Sequence, residues 1–470
     1  MEQPVQPTPV QPTPAAAGES ADFASGAKIL SIGIASTGIF TFAYLVGGSR
    51  LLDRANYSRL SICWAVMYVI LCVIYRPIEQ LLSRTIADRQ ARGKSGHILR
   101  TPAIIQASFA ALFLIVAFVL RHQITSGLFK GSTLLFWILV TGVTAYGASY
   151  FARGWLAGHK RFALYGALVF LESTSRFMFP VAVAIGIGSG LGVIAWGMAA
   201  APFASLCVIP FAFGRVRTQV GREVEVADAA REGPAHRAIE EAATDLSLRH
   251  GGGFAAAVVA IMASEQTLMN AGVLIVALSA GGGTITSGLA GFVFNVLLIV
   301  RAPLQLFQAI QTSILPHLAG MEARESNDEF RRAIRLTLIV IASFAALVAL
   351  GLLAIGPFVM RTVLGAHGYS YDRYGLALVG IGMGLHLCSG ALNQALLARS
   401  RHAAAARAWL ISATVFVLFV ALHLIHGEVW GVEVGYFVST ALLAAMLWVL
   451  YSRTRPIRSP GKGTNTPAAE

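Results

Sequence analysis

The chain has 470 residues, of which 56% are hydrophobic and 13% charged, and its mean hydropathy is +0.67. Soluble domains carry about 25% charged and roughly 45–50% apolar residues, so ordinary globular domains are excluded. The 36 basic residues outnumber the 23 acidic ones by 13. In a soluble protein that excess would point to nucleic acid, but here the loops between apolar stretches account for it and no nucleic-acid partner is implied.

Residues 1–26 contain an exact repeat, VQPTP at Val5–Pro9 and again at Val10–Pro14. Proline at this density favours polyproline II or disorder. The basic n-region and short apolar core of a signal peptide are missing, so the segment reads as a disordered tail. Twelve apolar stretches follow, at 27–48, 60–83, 101–120, 133–152, 162–186, 193–213, 251–279, 286–312, 333–356, 374–397, 405–425 and 431–451. Each is long enough for a membrane-crossing helix of about 20 residues. Runs such as Ile104–Leu120 and Leu336–Gly356 are continuously apolar, whereas the strands of a membrane β-barrel alternate. The predicted fold is therefore an all-α polytopic membrane protein of twelve transmembrane helices.

The basic residues set its orientation. Of the 36, 25 fall in or beside the loops after even-numbered spans and in the C-terminal tail; 7 fall in the loops after odd-numbered spans. Cytoplasmic loops collect Lys and Arg, so both termini are predicted to be cytoplasmic, in a plasma membrane. The polar stretch 215–250 then becomes a cytoplasmic linker, and Arg237–Arg249 within it reads as a surface helix. The linker divides the chain into an N-terminal six-helix lobe, 27–214, and a C-terminal one, 251–452, with a basic disordered tail at 453–470. The halves carry a faint repeat. Pro77-Ile78-Glu79 in span 2 aligns with Pro303-Leu304-Gln305 in span 8, and an arginine precedes each proline. Matched proline-interrupted spans occur in transporters built from repeats.

Six ionisable residues stand out within the spans: Arg76, Glu79, Glu172, Arg176, Glu265 and Arg301. Each costs about 2.5–3.5 kcal/mol at helix centre on insertion scales. At 100° per residue, Arg301, Gln305, Gln308 and Thr312 fall within a wedge of about 60°, and Arg76, Gln80 and Ser83 do the same in span 2. A polar stripe on a membrane helix faces protein or a water-filled cavity. Two readings follow. Either Arg76 and Arg301 line a polar cavity and attract an anionic substrate, or Arg76 pairs with Glu79 while Arg301 snorkels to the inner interface. Glu265 lies beside Gln266, Thr267 and Asn270 with no basic residue within a turn; it can hold a coupling ion or pair with an arginine of another helix. Glu172 and Arg176 are spaced for a same-helix ion pair. His386 and Asn393 share one face of span 10, where a packing role competes with a proton relay.

Chemistry that is missing narrows the function. There is no Walker A, G-x-S-x-G or H-E-x-x-H stretch, and no metal-ligand set or cofactor motif. Cys63, Cys72, Cys207 and Cys388 form no C-x-x-C and read as small residues inside helices. The chain is not predicted to be an enzyme.

The run Gly33–Leu52, then Ala55–Leu60, then Arg76-Pro77-Ile78-Glu79-Gln80 and Arg89–Gly93 resembles the opening of polysaccharide flippases. These belong to the multidrug/oligosaccharidyl-lipid/polysaccharide exporter superfamily. Asn56–Leu60 fits the family's short phrase after span 1, with Ser58 where glycine is usual. The resemblance implies two six-helix lobes in a V, with spans 1, 2, 7 and 8 lining a central cavity. It would place Arg76, Glu79, Glu265, Asn270, Arg301 and Gln305 on the path of a polyprenyl-pyrophosphate-linked saccharide crossing a bacterial inner membrane. Glycosyltransferases or a polymerase of the same pathway would be its partners. In this reading Arg76 and Arg301 bind the diphosphate, Gln305, Gln308 and Asn270 contact the substrate, and Glu265 and Glu79 couple ions. Peptidoglycan-precursor flippases of the superfamily typically have fourteen spans, against twelve here. A multidrug or small-metabolite antiporter of the same architecture is one alternative, although it would want an acidic cavity. A membrane-embedded sugar transferase or ligase is another.

Overall fold

The computed structural model describes residues 33, 35–91, 100–208, 210, 234–279, 288–301, 303–304, 327–365, 368–399 and 401–453. Among them there is helix, turn and bend but no strand. The helices are α1 (35–51), α2 (Arg54–Ile70), α3 (Arg76–Ala91), α4 (Arg100–Val119), α5 (Thr133–Gly158), α6 (Phe162–Ala184) and α7 (Gly190–Leu206). They continue as α8 (Pro234–Ser279), α9 (Leu289–Arg301), α10 (Asn327–Leu364), α11 (Arg373–Ala398), α12 (His402–Ala421) and α13 (Glu428–Arg453). Among the described residues nine helices are long and apolar enough to cross a membrane, counting α2 and α3 as one; α7 and α9 are shorter apolar helices. This is a multi-pass membrane protein.

Side-chain caps define several helix starts. Asp53 accepts from the Asn56 amide at 2.9 Å, Ser132 from that of Leu135 at 3.4 Å and Asp372 from that of Gly375 at 2.8 Å. Each satisfies one of the orphan donors of a first turn. The Asn56 amide also holds the Asp53 carboxyl below its ordinary range. Between α2 and α3 the chain forms a π turn, Leu71–Tyr75. Pro77 lies just beyond it and offers no N–H to the preceding turn, and a wide turn is one way a helix absorbs that defect. The sequence marks the proline but not the π turn.

Helices α2 to α7 pack mainly among themselves around α5; α10 and α13 pack on α11, and α8 packs on α12. The most apolar spans lie outermost: α4 and α10 are only 17% buried, against 72% for the less apolar α11. The outer helices turn Ile104, Leu112, Leu336 and Leu347 outward, as lipid contact requires. The two groups meet where α2, the π turn and α3 run along α8. There Tyr57, Leu60, Met67 and Leu71 share one buried apolar core with Leu268, Val273, Val293 and Leu297. The seam at this level is packed rather than open, unlike the water-filled cleft expected from the resemblance. Residues 305–312, expected to line such a cleft further along α9, lie outside the described residues. Helix α8 begins inside the stretch read as a linker, so the final part of that linker continues into a span.

Candidate functional site

Arg301, the last residue of the continuously described part of α9, lies on the seam and is only 9% exposed. Its Nη2 donates to the Met269 carbonyl and to Asn270 Oδ1, both at 2.9 Å, and its guanidinium lies 4.5 Å from the Phe294 ring centroid. Asn270 is fully buried and is oriented by its own Nδ2, which donates to the Gln266 carbonyl at 3.0 Å and to Gln266 Oε1 at 3.1 Å. These partners are neutral. Among the described residues no carboxylate lies within ion-pair distance of Arg301, and its Nε is buried without a partner. The groups that act on it electrostatically include Tyr57 and Tyr68 of α2 and Tyr436 of α13, so it faces both helix groups. Snorkelling does not describe this arginine: its guanidinium is held by α8 at the depth of Asn270.

Arg76 is the first residue of α3, immediately after the π turn, and is half-buried. Glu265 of α8 lies within its electrostatic reach across the seam. Glu79 behaves differently from the same-helix partner expected for Arg76. It accepts from the Tyr165 hydroxyl of α6 at 2.6 Å, which turns it into the N-terminal group and away from the seam. Gly154 of α5 permits this approach, because a Cβ there would lie 2.8 Å from the Glu79 carbonyl oxygen. The Cys72 thiol, one turn before Arg76, is an electrostatic neighbour of both Arg76 and Arg301. The structure therefore gathers Arg76, Glu265, Asn270 and Arg301 at the seam, while Glu79, bound by Tyr165, stays within electrostatic reach of Arg76. Gln305 and Gln308 lie outside the described residues.

A second charged cluster fills the N-terminal group. Glu172 accepts from Arg153 at 2.5 Å, from Arg176 at 3.2 Å and from Ser149 at 3.1 Å, and all four side chains are buried. Arg176 also donates to the Tyr146 hydroxyl and to Thr41 at 3.4 Å. The expected Glu172–Arg176 pair is present, but it is part of a triad with net positive charge. Sequence reading missed Arg153, because span 4 was expected to end at 152 whereas α5 runs to Gly158. It also missed Glu433, 2% exposed in α13. His386 of α11 shares a 3.0 Å hydrogen bond through Nδ1 with the Tyr436 hydroxyl, while its Nε2 is buried without a partner. Cys63 and Cys72 are buried, Cys388 is half-buried and Cys207 is exposed.

Chemically, the seam offers one guanidinium, Arg76, with carboxylates in its electrostatic reach, and a second, Arg301, that among the described residues has neutral hydrogen-bond acceptors and no carboxylate at ion-pair distance. No protein-family model matches the sequence, and no curated protein matches it. Solved structures do. The MATE transporter VcmN of Vibrio cholerae, in its bent form, matches at 13% identity over 93% of this chain and 97% of that one, with a TM-score of 0.58. An inward-facing multidrug resistance MATE family transporter of the MOP superfamily matches at 14% identity over 90% of this chain and 97% of its own, with a TM-score of 0.58. The lipid II flippase MurJ, inward closed, matches at 10% identity over 92% of this chain and 87% of its own, with a TM-score of 0.57. These proteins are transporters and a flippase, and the fold of this chain is the one they share.

Proposed function

We propose that the chain is a flippase rather than an enzyme, moving a polyprenyl-pyrophosphate-linked saccharide across a bacterial inner membrane by alternating access. The full architecture in this reading is twelve spans in two six-helix lobes, 27–214 and 251–452, with the 215–250 linker and both termini in the cytoplasm. Arg301 is the observation that carries it. A buried guanidinium with neutral partners and, among the described residues, no carboxylate at ion-pair distance suits an anionic headgroup, which would supply a counter-charge. Arg76 adds positive potential further along the seam, moderated by Glu265, and Asn270 fixes the orientation of Arg301. Gln305 and Gln308 would contact the saccharide, and Glu265 is the candidate for ion coupling. Glu79, bound by Tyr165, is better suited to positioning α3 against α6 than to meeting an ion at the seam. The lipid tail stays in the bilayer during transit. Glycosyltransferases or a polymerase that make and consume the substrate are the expected partners.

A second reading, a multidrug or small-metabolite antiporter, draws support from the MATE structures that share the fold. The charge at the seam favours the first. Reconstitution in liposomes with a labelled lipid-linked saccharide tests the choice. Arg301→Ala should lower the flipping rate by about tenfold or more and Arg301→Lys should restore part of it, in line with the strength of charge-assisted bonds. Uptake of organic cations without any movement of the lipid-linked saccharide would overturn the proposal in favour of the antiporter.

A further inference from the structure

At the end of the bundle that carries the α1–α2 turn and residues 363–365 and 368–371, the two helix groups are tied by hydrogen bonds around Asn295. Its Oδ1 accepts from the Tyr57 hydroxyl of α2 at 2.5 Å. Its Nδ2 donates to Ser49 Oγ of α1 at 3.2 Å and to the Tyr371 hydroxyl at 3.4 Å. Ser49 in turn donates to the Leu364 carbonyl, and Tyr371 donates to that of Gly365 at 2.9 Å. Beside them Arg50 Nε donates to the Val363 carbonyl at 3.0 Å, and the Arg54 guanidinium lies 4.2 Å from the Tyr369 ring centroid. Asn295, Ser49, Tyr57 and Tyr371 are all buried. Gly291, one turn before Asn295, brings α9 against α2 closely enough that a Cβ there would lie 3.0 Å from Ser58 Cα.

The composition of this seal matters. An asparagine presents one acceptor and two donors on a single planar group, and here all are used, on residues from both helix groups. A neutral hydrogen bond exchanged for one to water changes free energy little, so such a seal parts readily once water enters. An apolar zip exposes its surface when opened and has no comparable compensation. The polar seal also lies about six residues, or 9 Å of helix, from Arg301 on the same helix, between the candidate binding arginine and this end of the bundle.

We propose that Asn295, with Tyr57, Ser49 and Tyr371, is the latch that shuts the cavity at this end, and that it opens and recloses once in each transport cycle. The proposal rests on the alternating-access reading, in which this end faces outward. Opening would separate α9, residues 363–365 and Tyr371 from α1 and α2, with water taking the places of the partner groups.

The test uses the full-length protein in lipid nanodiscs, with Cys207 and Cys388 replaced by serine and spin labels at Ile187 and Leu424. Those residues lie at this end on opposite helix groups and are exposed. Tyr57→Phe should raise the long-distance population by about two- to tenfold, the range of one lost hydrogen bond, and Asn295→Ala, which removes three, should raise it by about tenfold or more. Tyr44→Phe, which removes a buried hydroxyl bonded to the Ile194 carbonyl within a single helix group, should leave the distribution as in the parent. Tyr57→Phe changes one hydroxyl only and carries the test should Asn295→Ala fail to fold. Unchanged distances in folded Tyr57→Phe and Asn295→Ala proteins would overturn the latch. The readout needs no substrate: a shift in distances without flipping of lipid-linked saccharide would refute the substrate assignment and leave the latch standing.

Discussion

Neutralising Glu172 should destabilise the protein more than almost any other isosteric change. Its carboxylate holds two guanidinium groups, Arg153 at 2.5 Å and Arg176 at 3.2 Å, among residues that are no more than 8% exposed. With charge centres about 4 Å apart and an effective dielectric constant near 20, each attraction is worth about 4 kcal/mol. Desolvation of the ions offsets much of that, but breaking a buried pair leaves an uncompensated charge at a cost of about 3–5 kcal/mol. Glu172→Gln keeps the shape and strands two cations, so the higher end of that range applies. The assay is the temperature at which half of the monodisperse peak is lost after heating in detergent, which should fall by about 5 °C or more. Adding Arg153→Met should recover part of the loss, because it removes one stranded cation, and a double-mutant cycle would show coupling of about 0.5–3 kcal/mol. A Glu172→Gln protein as heat-resistant as the parent, or a double variant that merely adds the two losses, would refute the account of Glu172 as the common counter-ion.

Two further outcomes concern the latch. Gly291→Val would press a branched side chain on the Ser58 backbone, where even a Cβ finds only 3.0 Å; overpacking of this kind costs about 1–3 kcal/mol, enough to raise the open population by about tenfold. Folded Gly291→Val with the parent's distance distribution between labels at 187 and 424 would contradict this. The Tyr371 hydroxyl is pushed up to about 12 by burial, above its free value near 10. The closed state therefore holds this proton more tightly than the open one; its advantage is complete below about pH 10 and is lost as pH rises through about 12. Label distances should stay constant from about pH 7 to 9.5, and opening within that interval would place the controlling group elsewhere.

Much of the fold was legible because membrane crossing demands long apolar runs, and the spans containing α4, α11 and α13 follow those runs closely. The Glu172–Arg176 pair was legible because i,i+4 spacing is local. Arg153 escaped because a basic residue near a predicted span end looks like a loop residue, and only packing against α6 shows it buried. Glu79 was placed beside Arg76 by helical spacing, but the close approach at Gly154 and the hydroxyl of Tyr165 decide otherwise. The latch left no sequence signal. Its members are uncharged, and Tyr57 and Asn295 are 238 residues apart, so nothing but the folded chain brings them into register.

The π turn at Leu71–Tyr75 bears on how this helix tolerates change in length. A turn that bonds i to i+5 holds one residue more than an α-helical turn, so α2 and α3 are out of phase by about 100°. Removing one position, for instance Val73, would regularise the ladder and leave α3 near its present rotation, because five residues at π spacing turn a helix about as far as four at α spacing. Substitutions that restored a regular α ladder at constant length would instead swing Arg76 by about 100° off the face that meets Glu265. The width of this one turn, more than the kind of residue in it, aims the arginine.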